Sequence, residues 1–139
     1  MNHCKVRFLD AAISYFECLI IVARTRLLLS FFGFNCARKY SARKYGKRVV
    51  TDESLVPWRV QRIAGLVPKA TCLTQGLVVQ EMLSRRGISS ELHVGVQLEA
   101  GKSFDAHAWT TRNGHVLIGN KGKDLSAFRE IAVYGAPIQ

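Results

Sequence analysis

The chain predicts an α+β domain: a helix bearing a cysteine packed on an antiparallel sheet bearing a histidine, preceded by a helical, basic extension. Three observations carry this expectation. An apolar stripe of helical period follows Cys72 and stops at Gly87, the pattern then changes to period two, and an Asn113-Gly114 dipeptide follows the run that contains Ala106-His107-Ala108-Trp109. A chain of 139 residues, 48% of them hydrophobic, can build one ordinary core. The division expected is residues 1–50 as the extension and 51–139 as the compact domain.

The first apolar stretch runs from Phe8 to Phe34. A bilayer span needs roughly 20 nearly uninterrupted apolar residues, and Glu17, Arg24 and Arg26 interrupt this one. Periodicity over Asp10 to Leu29 instead predicts one or two helices that pack on the main domain, with a membrane surface or a partner as the alternative. Residues 37–54 read as a polar, basic linker, and Thr51-Asp52-Glu53-Ser54 offers an N-cap for a short helix from Leu55 to about Leu66. Pro68 then enforces an extended approach to Thr71.

The helix that begins at Thr71-Cys72 carries Leu73, Leu77, Val78, Val79, Met82 and Leu83 as its stripe, with Arg85-Arg86 at its negative end. In the first strand after Gly87, Leu92, Val94 and Val96 share a face; a turn over Glu99 to Lys102 follows, and residues 104–111 form the next strand. Asn113-Gly114 predicts a two-residue type I′ hairpin loop. Even pairing from that loop sets Thr110 opposite Leu117, Trp109 opposite Ile118 and His107 opposite Asn120.

Charge and cysteine usage set the surroundings. Of the formal net charge of +10, about +8 falls in residues 1–49, where ten Lys and Arg stand against Asp10 and Glu17. No zinc-finger, RRM or helix-turn-helix pattern accompanies it, so a nucleic-acid partner is not expected. Cys4, Cys18, Cys36 and Cys72 show neither framework spacing nor a CxxC pair, and Asp10 and Glu17 break up any signal peptide, so a reducing cytoplasm fits. Metal-ligand spacings and glycine-rich phosphate loops are missing from the sequence, and no cofactor or metal is expected.

The chemistry centres on Cys72. A thiol is nucleophilic as the thiolate, which a helix N-terminus and a neighbouring imidazole both favour. Cys72 opens a helix, and His107 is the candidate base. If Asn120 lies opposite His107, cross-strand Cβ atoms about 4.5–5.5 Å apart let its amide hold one ring nitrogen and leave the other for the thiol. This is the logic of a Cys-His-Asn triad. Asp105 and Asp124 are alternative orienting groups. The backbone N–H of Cys72 and the Gln75 side chain are the oxyanion candidates.

Val67 to Leu77, Leu83 to Ile88, Val94-Gly95-Val96, Ala106 to Trp109 and Val116 to Gly119 together resemble the B protein of lasso-peptide biosynthesis, a cysteine-protease branch of the transglutaminase-like superfamily. The resemblance implies a transglutaminase-like, papain-like core with Cys72 as nucleophile and His107 as base. Where the superfamily usually carries an aspartate on the strand after the histidine, this chain reads Val116-Leu117-Ile118-Gly119-Asn120. Further implied are a leader peptidase acting on a ribosomally made precursor peptide, a separate small leader-recognition protein, and an asparagine-synthetase-like macrolactam cyclase downstream. Longer members are associated with ATP dependence, and nothing in this sequence locates a nucleotide site. Acyl transfer to an amine and a noncatalytic scaffold for the precursor stand as alternatives.

Overall fold

The computed structural model describes residues 2–43, 53–97 and 104–135, of which 2–10 are described as backbone only. Four helices precede a four-stranded antiparallel sheet: α1 (Asn2–Phe31), α2 (Gly33–Ser41), α3 (Val56–Ala64), α4 (Cys72–Ser84), β1 (Glu91–Gln97), β2 (Asp105–Arg112), β3 (His115–Ile118) and β4 (Arg129–Gly135). The strand order is β3-β2-β1-β4. The α+β class is as the sequence predicts.

The N-terminal stretch forms two helices, broken at Gly33, whose φ of +78° suits a residue without Cβ. It does not stand apart from the rest. Cys18, Ile21 and Val22 of α1 share one buried cluster with Val56 and Val60 of α3, Val78 and Met82 of α4, and Ile118 of β3. Ala37 of α2 joins a second cluster with Leu77, Leu92 and Ala108. The linker expected over residues 37–54 is therefore shortened from its start, because α2 continues through Ser41 and buries Ala37. Thr51 and Asp52, expected to cap α3, lie outside the described residues; α3 opens instead from a 3₁₀ turn, Glu53–Leu55, with Pro57 in its first turn, where a missing N–H costs nothing.

Electrostatics also tie α1 to α4. Glu81 of α4 has a fully buried carboxylate, paired with Arg24 of α1 and, at 2.8 Å, with Arg85 one turn along its own helix. Arg85 and Arg86 reach Glu17 at 3.5 and 4.0 Å, and Arg86 also donates to the Met82 carbonyl at 2.9 Å, serving the negative end of the helix. Gly87, at φ +73°, stops α4 as expected: its N–H bonds to Ser84 and that of Ile88 to Leu83, the paired bonds of a Schellman ending.

The sheet departs from the sequence expectation in one consequential place. Asn113 and Gly114 both have positive φ, at +50° and +78°, as a type I′ loop demands. Arg112 pairs with His115 and Thr111 with Val116, but a bulge then intervenes, and Thr110 pairs with Ile118 rather than Leu117. The extra residue turns Ile118 to the helix side, where it is buried in the first cluster. Every position past the bulge is displaced by one. The turn expected over Glu99 to Lys102 lies outside the described residues, and β4, paired antiparallel to β1, was not foreseen.

Candidate active site around Cys72 and strand β2

Thr71 holds extended backbone at φ −77°, ψ 175°, and its carbonyl accepts the first intrahelical bond from the Gln75 N–H at 3.0 Å. Its hydroxyl makes no capping bond. Cys72 is the first residue of α4, half-buried, and packs against the second cluster beside Ala108 and Leu92. Cys18, by contrast in burial, is wholly enclosed, and that burial pushes its own thiol up to about 11 against the opposing pull of Arg59. The Gln75 side chain donates to the Ala70 carbonyl at 3.4 Å. One N–H of its amide is thus turned toward the loop that leads into Cys72, and the other is still available as a donor.

The position of α4 on the sheet is set by the absence of a side chain at Gly76. A Cβ there would stand 2.6 Å from Leu92 Cδ1 and 3.2 Å from Thr110 Oγ1. The Thr110 hydroxyl donates to the Gly76 carbonyl at 3.1 Å, which joins helix to strand directly. Residues of β2 alternate between faces, so Thr110 and Ala108 are directed to α4, and His107, Trp109 and Thr111 leave by the opposite face.

On that opposite face His107 is buried. Its ring lies 5.3 Å from that of Phe128 and 6.4 Å from that of Trp109, and its Nε2–H donates to the Gly119 carbonyl. Trp109 in turn stacks on His93 at 5.4 Å, with planes only 5° apart. His93 is a constellation that sequence reasoning left unplaced: its Nδ1 lies 2.6 Å from Glu130 and its Nε2 2.8 Å from the Thr111 hydroxyl. Pairing alternate strand positions would have put His93 and Trp109 opposite each other once the β1–β2 register was known.

The structure therefore brings Cys72 against Ala108 of β2 and turns Gln75 toward Ala70; no hydrogen bond links Cys72 to His107 among the described residues, and period-two alternation sets His107 on the other face of β2. The register argument for Asn120 fails with the bulge. Asn120 lies beyond the end of β3, where its carbonyl accepts a turn bond from the Lys123 N–H at 3.3 Å. Of the alternative acids, Asp105 lies close enough for the charge of His107 to favour its ionised form, but among the described residues neither acid hydrogen-bonds the imidazole. Lys123 holds Asp105 at 2.6 Å and, chiefly through that hydrogen bond, keeps its carboxyl below the usual range. Asp124 accepts from the N–H and hydroxyl of Ser126, at 3.0 and 2.7 Å, which lowers it likewise. The group that touches the imidazole is the backbone of Gly119, at φ +103°. A Cβ at Gly119 would come within 2.7 Å of Trp109 Cα and the Ala108 carbonyl. A glycine just past a hairpin strand is the signal that could have marked it.

A family model described as the transglutaminase-like superfamily matches residues 19–133, which takes in the C-terminal part of α1, all of α4 and all but the end of β4. No curated protein and no solved structure matches the chain.

Proposed function

This chain belongs to the transglutaminase-like superfamily, which includes cysteine proteases and acyl transferases, and from that premise we propose that it is a leader peptidase of lasso-peptide maturation. The observation that carries the reading is the half-buried Cys72 thiol on the first residue of α4, seated against the strand of His107 within the region of the family match. The substrate is a ribosomally made precursor delivered by a separate leader-recognition protein, and the product passes to an asparagine-synthetase-like cyclase.

In this mechanism the Cys72 thiolate attacks the carbonyl of the last leader residue. The Cys72 sulfur–carbon bond forms, the peptide C–N bond breaks, and the imidazolium of His107 gives its proton to the departing core amine. Water, deprotonated by the same ring, then displaces the thiolate and releases the leader with a free carboxylate. The Cys72 N–H at the helix start and the free N–H of Gln75 offer donors to the oxyanion. The Gly119 carbonyl takes the orienting part first assigned to Asn120, because holding Nε2–H leaves Nδ1 as the basic nitrogen. His107 must also pass to the Cys72 side of β2. That passage requires the Gly119 segment, which lies against Ala108 and Trp109 past the last β3 pair, to move with the ring.

One observation favours a second reading, a noncatalytic scaffold that presents the precursor to the cyclase: Cys72 and His107 belong to opposite faces of β2. The deciding experiment mixes purified protein, precursor and leader-binding protein and reads the products by mass. Cleavage with a free leader carboxylate, lowered at least about 1,000-fold by Cys72→Ala and by His107→Ala, supports the peptidase. An amide adduct assigns acyl transfer instead. Undiminished turnover in Cys72→Ala, or no turnover of the wild type with a thiol inert to iodoacetamide, overturns the proposal.

A further inference from the structure

Helix α1 carries an apolar row that no part of the described chain covers. Ile13, Phe16, Ile20, Leu27 and Phe31 recur at spacings of three, four, seven and four, so they lie on one side of the helix. All five are exposed, Phe16 at 66% and Phe31 at 76%. At about 1.5 Å per residue the row extends roughly 27 Å. The opposite side of the same helix is the one that enters the core, through Ser14, Cys18, Ile21 and Thr25. A helix with apolar residues on both sides has two neighbours, and only one is among the described residues.

Charge identifies the other. The only acid from residue 11 to 31 is Glu17, and its carboxylate is paired with Arg85 and Arg86. Arg26 stands about 100° round the helix from Leu27, on the flank of the row. Lys39 and Arg43 are exposed at and just beyond the end of α2, and the 49 residues that include these helices hold ten Lys and Arg against two acids. An uncharged row with basic flanks and no free carboxylate is the pattern of a helix lying in the surface of an anionic bilayer. A second copy fits poorly, since it brings its own +10 to the same contact. No helix among the described residues is long and apolar enough to cross a membrane, so the contact lies along the surface.

We propose that α1 docks the protein on anionic membrane surfaces through Ile13, Phe16, Ile20, Leu27 and Phe31, independently of any chemistry at Cys72. The contact would put the Cys72 site beside a membrane while leaving α4 and the sheet in water. The test is co-sedimentation of the full chain with phosphatidylcholine vesicles that contain about a quarter phosphatidylglycerol, against phosphatidylcholine alone. Binding to the anionic vesicles alone is expected, weakened by salt and lowered at least about tenfold in Phe16→Ser/Leu27→Ser. Both side chains are exposed, so the variant should keep its fold, and circular dichroism with a thermal melt checks this. Equal partition onto both vesicles, no binding to either, an unaffected variant, or a lipid-free dimer that the double substitution dissolves each overturns the proposal.

Discussion

Placing a methyl group at Gly76 tests how α4 is seated on the sheet, and with it the position of Cys72. Two effects oppose each other. In an exposed helix, Gly→Ala gains about 1 kcal/mol from reduced backbone entropy. Here the new Cβ meets Leu92 Cδ1 at 2.6 Å and Thr110 Oγ1 at 3.2 Å, both on fully buried side chains. Overpacking of that kind costs about 1–3 kcal/mol, and displacing the Thr110 hydroxyl from the Gly76 carbonyl costs about 1 kcal/mol more. The clash wins, and Gly76→Ala should be destabilised by about 1–3 kcal/mol. Leu92→Ala alone should cost about 2–5 kcal/mol. In the double variant the new methyl occupies part of the space left by the leucine, so the combined cost should fall short of the sum by about 1 kcal/mol or more. Urea midpoints at constant slope supply all three values. A Gly76→Ala protein that gains the full helical increment, or strictly additive costs, would refute the close approach of helix to strand.

Other consequences can be checked by the same means. Glu81→Gln leaves Arg24 and Arg85 without their shared carboxylate; because both guanidinium groups are partly exposed and can recruit water, a loss of about 2–3 kcal/mol is expected in urea midpoints rather than the larger penalty of a sealed pair. Gly119→Ala should cost about 3 kcal/mol from its φ of +103° and the contact with Trp109 backbone, and should abolish the protected His107 Nε2–H signal in proton NMR; a persistent signal refutes the bond to Gly119. Cys18 gives a pH dependence. Its thiol ionises near 9.0 when unfolded and near 11 when folded, so its contribution, up to about 3 kcal/mol, is complete below pH 9 and lost as pH rises toward 11. The stability difference between wild type and Cys18→Ala should narrow over that window, and a constant difference contradicts the assignment.

Local signals made most of the framework legible. The stripe from Leu73 to Leu83 and the stop at Gly87 gave α4, and Asn113-Gly114 gave the hairpin, because each depends on bonds within a few residues. The bulge could not be read the same way. Thr110 accepts either Leu117 or Ile118 as a neighbour on apolar character alone, and the choice is made by burial of Ile118 against α1, α3 and α4. That choice removed the direct pairing of Asn120 with His107 that an even register would give. Strand β4 was missed for a similar reason: Ile131 and Val133 are exposed, so its pattern of burial is shallow and its place is fixed by pairing with β1. The pairing of Glu81 with Arg24 is equally invisible, since its partners are 57 residues apart.

The run Ala106-His107-Ala108-Trp109 explains both the strength and the difficulty of the candidate site. Close helix packing needs small residues on the helix side of β2, and with period-two alternation Ala108, buried with Leu77 and Cys72 of α4, meets that need, as Gly76 does opposite Leu92 and Thr110. The same alternation sends His107 to the other side, among Trp109, Phe128 and the Gly119 carbonyl. A bulky residue at 108 could not be accommodated without lifting α4, and an imidazole at 108 would collide with the helix it must serve. The ring can therefore approach Cys72 only around the strand, and of the two edges β1 closes one along its full length. Along the other, β3 pairs only with Thr110 to Arg112, Gly119 packs on the backbone of Ala108 and Trp109, and the ion pair of Lys123 with Asp105 closes the far end. The proposed peptidase chemistry would thus depend on the segment from Gly119 to Phe128, which supplies the carbonyl and the ring that hold the imidazole and the lysine that pairs with Asp105.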